Sequence, residues 1–222
     1  MAAARGQRGN AGSPMAESSR LSEIEDLLRR LPAAKRAALL KSITDLFLEN
    51  ISQYRPEQIN LFDSLFNQLL DEAEIEVAAT LSRRLAPIAN APPKIMGRLA
   101  LNDDITVAEP VLVRSPCVDK SILMDIARSK SQTHLLALAC RSQIAEEIVD
   151  LLIARGDQIA VRYVANNQGA RISEAGAAAL AERAKSDDAL AEVISKRPDV
   201  PARLGGVPAG KTAKESPATV AA

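Results

Sequence analysis

The 222-residue chain lacks several things, and each absence removes a class of function. It has no Trp, three Phe and two Tyr, so aromatic side chains are 2% of the whole. It has one histidine, His134, and two cysteines, Cys117 and Cys140. Two cysteines cannot staple a small secreted scaffold. They form no CxxC pair, and His134 does not stand at ligand spacing from either, so no zinc site is expected. Both are read as reduced thiols packed as small buried apolar residues. No stretch of 18 apolar residues occurs, so the sequence offers no membrane span. The first 20 residues carry Arg5, Arg8 and Arg20 without a continuous apolar stretch, which is not the pattern of a secretory signal. The expected location is therefore cytoplasmic. Neither a P-loop nor a GxGxxG pattern is present, so the common nucleotide fingerprints are missing and no cofactor is expected.

The chain also lacks any excess of charge, with 28 basic and 28 acidic side chains. Three Arg and one Glu fall in residues 1–20, and two Lys and one Glu in 205–222, which leaves 23 basic and 26 acidic between them. A general nucleic-acid binder needs a basic face to neutralise phosphate. The body offers a slight acidic surplus instead.

What is present is helical periodicity. Residues 1–17 and 205–222 are rich in Ala, Gly, Ser and Pro, have no periodicity and are expected to be disordered tails. Leu21, Ile24, Leu27, Leu28 and Leu31 keep three/four spacing and share one helical face. Pro32 is suited to open a second helix, whose stripe is Leu39, Ile43, Leu46 and Phe47. Pro56 opens a third, striped by Ile59, Phe62, Leu65, Phe66, Leu69 and Leu70. Residues 18–72 thus form an N-terminal three-helix segment holding every Phe. So much large apolar surface needs a partner surface. The rest of the chain or a second copy could supply it, so Phe47, Phe62 and Phe66 are candidates for self-association.

From residue 73 the helices become short and Ala-rich. Asp103, Ser131, Asp157 and Asp187 each precede a short helix, at separations of 28, 26 and 30. Ser142 and Ser173 stand where a second helix would start in two of the intervals, and Ser and Asp can take up the free N–H groups of a first turn. Gly156 and Asn167 read as left-handed helix ends. A helix pair that repeats and cannot bury its own apolar face stacks on its neighbours. The expected fold is all-α: an N-terminal helical segment followed, over 73–204, by a short α-solenoid of helix pairs. Val111-Leu112-Val113 is apolar, but Pro110 and Pro116 flank it, so no strand competes.

Four passages carry a family resemblance. Residues 98–115 (RLALNDDITVAEPVLVRS), 131–141 (SQTHLLALACR), 156–167 (GDQIAVRYVANN) and 196–201 (KRPDVP) resemble, in this order, blocks of the bacterial domain of unknown function 2336. The resemblance runs through most of 36–203. It implies a HEAT-like, all-helical, uncharacterised protein of largely alphaproteobacterial type. No activity, cofactor or catalytic residue comes with it. Relatives continue with further helices where this chain enters a Gly/Pro-containing stretch at Gly205, so whether a C-terminal function is absent here stays open.

No motif in the body reaches the threshold for chemistry. His134 could serve as a phosphoacceptor or general base, yet Leu135, Leu136, Ala137 and Leu138 follow it where phosphotransfer helices carry Lys and Gly. No nucleophile pairs with it by spacing. A ring hydrogen-bonded at a helix start is the plainer reading. Arg114, Arg141 and Arg162 follow apolar segments on successive repeats and could line one ridge that binds an acidic partner or a phosphate. Solvated or intrachain-paired Arg is the bland alternative. The function expected is a non-catalytic protein-interaction scaffold or adaptor with an unknown protein partner, not an enzyme, with a homodimer as one form of assembly. The rivals are a nucleic-acid-binding HEAT-like repeat protein and a signalling regulator using His134.

Overall fold

The computed structural model describes residues 30–71, 73–197 and 199–200. The first predicted helix, apart from Leu31, and both predicted tails lie outside these residues. Among the described residues are eleven α-helices, one 3-10 turn and no strand. They are α1 (Ala33–Glu49), the 3-10 turn Ile51–Gln53, α2 (Pro56–Leu70), α3 (Ile75–Leu85), α4 (Pro93–Ala100) and α5 (Ile105–Arg114). There follow α6 (Lys120–Ser129), α7 (Gln132–Ala139), α8 (Glu146–Arg155), α9 (Gln158–Asn166), α10 (Glu174–Ala184) and α11 (Asp188–Ser195). The protein is all-α, as its periodicity requires.

These helices form two compact units. One holds the described residues up to Val111 together with Ser115–Cys117; the other holds Leu112–Arg114 and the residues from Val118 onward.

In the first unit α1 packs on α2 and α3, α2 on α4, and α3 on α4. Pro56 opens α2 at its first position, where its missing N–H costs nothing. The aromatic residues form one cluster. Phe47 lies 5.0 Å from Phe62, 5.8 Å from Phe66 in a T-shaped pair, and 5.8 Å from Tyr54 between ring centroids. Phe47 and Phe66 are fully buried and Phe62 nearly so. Tyr54 keeps its polar end satisfied by donating its hydroxyl to the Leu46 carbonyl. Of the two partner surfaces the sequence left open, the rest of the chain covers the three Phe, while Leu46 and Leu61 stay about half exposed. Phe47, Phe62 and Phe66 fill a core, so their own side chains are not exposed.

In the second unit each helix packs on its next-but-one neighbour. One row is α6, α8 and α10; the other is α7, α9 and α11; the pairs α6–α7, α8–α9 and α10–α11 join the rows. Ile126, Leu135, Leu138, Leu152, Val161, Val164 and Leu180 fill the space between, with Ala127, Ala139, Ala160, Ala165 and Ala177 beside them. The small side chains let short helices approach closely. Where α10 begins against α8, a Cβ on Gly176 would sit 2.8 Å from an Asp150 carboxylate oxygen.

The predicted caps are largely in place. Asp157, Ser173 and Asp187 accept the N–H groups of Ala160, Gly176 and Leu190 at 2.8, 2.8 and 3.0 Å. For α5 the cap is Asp104, one residue after the predicted Asp103. Other expectations need correction. Ser142 caps nothing: α8 starts later, at Glu146, because Ile144 is buried and its backbone pairs with the loop before α10. The Ile144 N–H donates to Gly169 and its carbonyl accepts from Arg171, an isolated parallel bridge to Ala170. Gly156 and Asn167 are extended, with φ −65° and −80°, so neither is a left-handed end. Cys140 is exposed at the end of α7, and Cys117 is half-buried with its sulfur 3.3 Å from the Ser115 hydroxyl; neither is a core residue.

Candidate recognition surface

The three arginines of the predicted ridge have three different surroundings. Arg114 ends α5 and is exposed. Arg141 is half-buried and donates through Nη1 to the Leu112 carbonyl near the end of α5. Arg162 clasps Asp187 with two groups: Nε lies 2.9 and 3.1 Å from the two carboxylate oxygens and Nη2 2.7 Å from one. That carboxylate also caps α11 through the Leu190 N–H. The hydrogen-bonded Arg162 guanidinium, and then the Leu190 N–H, hold Asp187 below the usual carboxylate range. The same pairing raises Arg162.

Arg141 belongs to a recurrent arrangement. In the row containing α7, α9 and α11, each connection sends a side chain back to the carbonyl end of the helix one repeat earlier. After Arg141 comes Asn167, whose Nδ2 donates to the Ala139 and Arg141 carbonyls at 2.9 and 2.6 Å. Then comes Arg197, only 2% exposed. It donates to the carbonyls of Val164, Ala165, Asn167 and Ala170 at 3.3, 3.0, 2.7 and 2.7 Å, and pairs with Asp199. The other row does the same. Arg155 donates to Ala127 and Lys130; Arg183 donates to Gly156 at 2.9 Å and Ala154 at 3.3 Å. The last carbonyls of a helix have no partner inside it, and these cations and amides supply one. The sequence separations across these bonds, 25 to 33 residues, match the repeat length. A side chain committed in this way has less freedom to meet a ligand.

His134 is 2% exposed. Its Nδ1 lies 2.8 Å from the hydroxyl of Ser131, the residue before α7, which also meets Thr133. A phosphoacceptor or base must reach its substrate, and this ring is covered. Among the described residues no group of three or more His, Cys, Asp and Glu side chains could hold a metal ion. No described helix is long and apolar enough to cross a membrane.

Large exposed apolar side chains occur in both units: Leu46, Leu61, Ile75 and Leu101 in the first, and two in the second. Ile159 and Tyr163 are 55% and 52% exposed, one turn apart on α9, the middle helix of its row. Counted from their caps, the equivalent positions are Thr133 and Ala137 on α7, and Ala189 and Val193 on α11. Charges nearby are matched, Arg162 by Asp187 and Lys196 by Glu192 at 2.6 Å. The buried stripe of α9 is Ala160, Val161, Val164 and Ala165, and Ile159 and Tyr163 lie off it. The sequence alone does not single them out, because apolar residues stand on both sides of this short helix.

The comparisons with known proteins bear on the second unit. Residues 107–205 match the family model of an uncharacterised protein conserved in bacteria, DUF2336. The match begins inside α5 and covers every later helix, so it is narrower at the N-terminal side than the 36–203 resemblance. No curated protein and no solved structure matches the chain.

Proposed function

We propose that the protein is a non-catalytic recognition scaffold, with a short HEAT-like α-solenoid as its second unit and the outer face of α9 as its binding surface. The observation that carries this reading is the exposed pair Ile159 and Tyr163 on the central helix of a three-helix row. Stacked helix pairs present extended surfaces suited to protein recognition. Full burial of a large apolar side chain gains about 1.5–3 kcal/mol, so covering two half-exposed ones would gain about 1.5–3 kcal/mol in all. Tyrosine brings area at low entropy cost, and a polar tip. Arg114, and the part of Arg162 still in solvent, remain candidates for the polar rim.

A nucleic-acid role asks for free cations and stacking aromatics. Arg141, Arg155, Arg183 and Arg197 are instead committed to backbone carbonyls.

The test is affinity capture from the source cell's lysate, read by mass spectrometry, with Ile159→Glu/Tyr163→Glu and Arg114→Glu/Arg162→Glu variants alongside. A protein held by the native chain and lost by the folded α9 variant supports the scaffold and its face. Equal retention by the α9 variant overturns the face. Absence of any captured protein overturns the scaffold.

A further inference from the structure

A second surface lies in the first unit and is independent of the α9 reading. α1 and α2 form an antiparallel pair joined through the turn Ile51–Gln53, with Phe47 facing Phe62 and Phe66. In such a pair the residue before each facing residue falls on one side of the hairpin, and the residue after it on the other. The second side is occupied. Asp63 and Asn67 follow Phe62 and Phe66 and hold α4: the Asp63 carboxylate accepts the Lys94 and Ile95 N–H groups at 2.9 and 2.7 Å, and the Asn67 carbonyl accepts from Arg98 at 2.8 Å. On that same side Ala37, Lys41 and Thr44 of α1 border α3. The first side carries Leu46 and Leu61, the residues before Phe47 and Phe62, and both are about half exposed. Leu39, Ile43 and Leu65 stand beside them, half-buried. We propose that this side of the hairpin is a dimer interface, and that its occupant is the same face of a second copy.

Three observations support that occupant. The first is continuity. Leu39, Ile43 and Leu46 line α1 at four- and three-residue spacing, and Leu61 and Leu65 line α2 beside them, so the apolar surface crosses both helices. The second is size. Two adjacent helices of 17 and 15 residues, about 25 Å long and about 10 Å across each, present about 500 Å². Two copies then cover about 1,000 Å² together, the lower bound of a specific interface. The third is charge, and it selects a second copy. The α1 stripe starts at Lys35, four residues before Leu39, and ends at Glu49, three after Leu46. Glu57, four before Leu61, opens the α2 stripe at the same end of the hairpin as Glu49. All three charged residues are exposed, and none has a side-chain partner among the described residues. The face is thus basic at one end and acidic at the other. A two-fold axis crossing α1 near Ser42 reverses the second copy. It sets Lys35 of each copy opposite Glu49 of the other, Leu39 opposite Leu46, and Ile43 near its own counterpart. The face is complementary to itself in shape of pattern and in charge.

The test is sedimentation equilibrium of the full-length chain at low salt, from about 1 μM to about 1 mM. The native protein should pass reversibly from monomer to dimer within that range. Leu46→Glu/Leu61→Glu should raise the dimer Kd at least about 100-fold, since it places charges in the covered face of both copies. Lys35→Glu should raise Kd about fivefold, and Lys35→Glu/Glu49→Lys should return it to within about twofold of native. Should Leu46→Glu/Leu61→Glu lose its helical circular dichroism, the charge exchange decides alone, since both of its positions are exposed. A native chain that stays monomeric to the highest concentration overturns the proposal. So does a dimer that survives Leu46→Glu/Leu61→Glu in folded form, which would place the contact elsewhere. Failure of the double charge exchange to restore what Lys35→Glu loses overturns the reversed two-fold seating and with it the choice of occupant.

Discussion

Replacing Arg197 by alanine tests whether cross-repeat bonds hold the second unit together. The guanidinium is 2% exposed and reaches four carbonyls, the closest being Asn167 and Ala170 at 2.7 Å. Its Nε and Nη2 also hold Asp199 at 2.8 and 3.0 Å. Alanine removes every donor at once and leaves buried acceptors at the end of α9 without a partner. A hydrogen bond to a charged group is worth about 1.5–3 kcal/mol, and breaking a buried charged network costs about 3–5 kcal/mol. Three of the carbonyls share one nitrogen, so the bonds are not additive, and about 3–4 kcal/mol is expected. Lysine keeps the charge but not the fork and should recover less than half. Two packing units make a single unfolding transition unsafe to assume. The assay is therefore hydrogen exchange in α9 and α11, alongside urea unfolding followed by far-UV circular dichroism. Arg128→Ala is the control, because its side chain is 58% exposed and its bond to Asp125 is 3.6 Å long. A loss below about 0.5 kcal/mol for Arg197→Ala, within the range of ordinary surface substitutions, would refute the clamp.

Other consequences are as direct. Gly169→Ala would place a methyl group 1.8 Å from the Ser142 carbonyl oxygen, so the Ile144–Ala170 bridge should break at a cost of about 2 kcal/mol or more, seen as lost amide protection at Ile144 and Arg171. Phe66→Ala should cost about 3–5 kcal/mol in the first unit, visible by the same exchange method in α1 and α2, with the second unit's protection unchanged. Asp187 binds its proton less readily folded than unfolded, so its contribution is complete above the unfolded value of about 3.9 and is lost as pH falls through the lower folded value. Acid unfolding of α11 should accordingly flatten in Asp187→Asn; an unchanged pH slope would remove Asp187 from the account.

The helices were legible because burial leaves a period. The three/four stripes of α1 and α2 show on paper, and so do the caps Asp157, Ser173 and Asp187, since a short side chain before an apolar run has few other uses. Ser142 misled for a related reason. It has the right chemistry for a cap, but the bridge through Ile144 joins chain segments 26 residues apart, and no local pattern reports on that. Gly156 and Asn167 misled because helix ends of different geometry use the same residue types.

The surface was less legible, and the arginines show why. A repeat brings cations to equivalent places, and a row of equivalent cations in sequence looks the same whether it faces a ligand or a carbonyl. Arg155 and Arg183 carried the period as clearly as Arg141 and Arg162, and all four bind within the chain. What separates the two cases is the far end of the bond, a main-chain oxygen that every residue possesses and that no sequence marks. In a stack of short helices that oxygen is always one repeat back, because each helix exposes its carbonyl end to the next. A periodic arginine in such a fold is therefore structural until its guanidinium is seen in solvent. Ile159 and Tyr163 differ from Arg141 and Arg183 in having their side chains about half in solvent.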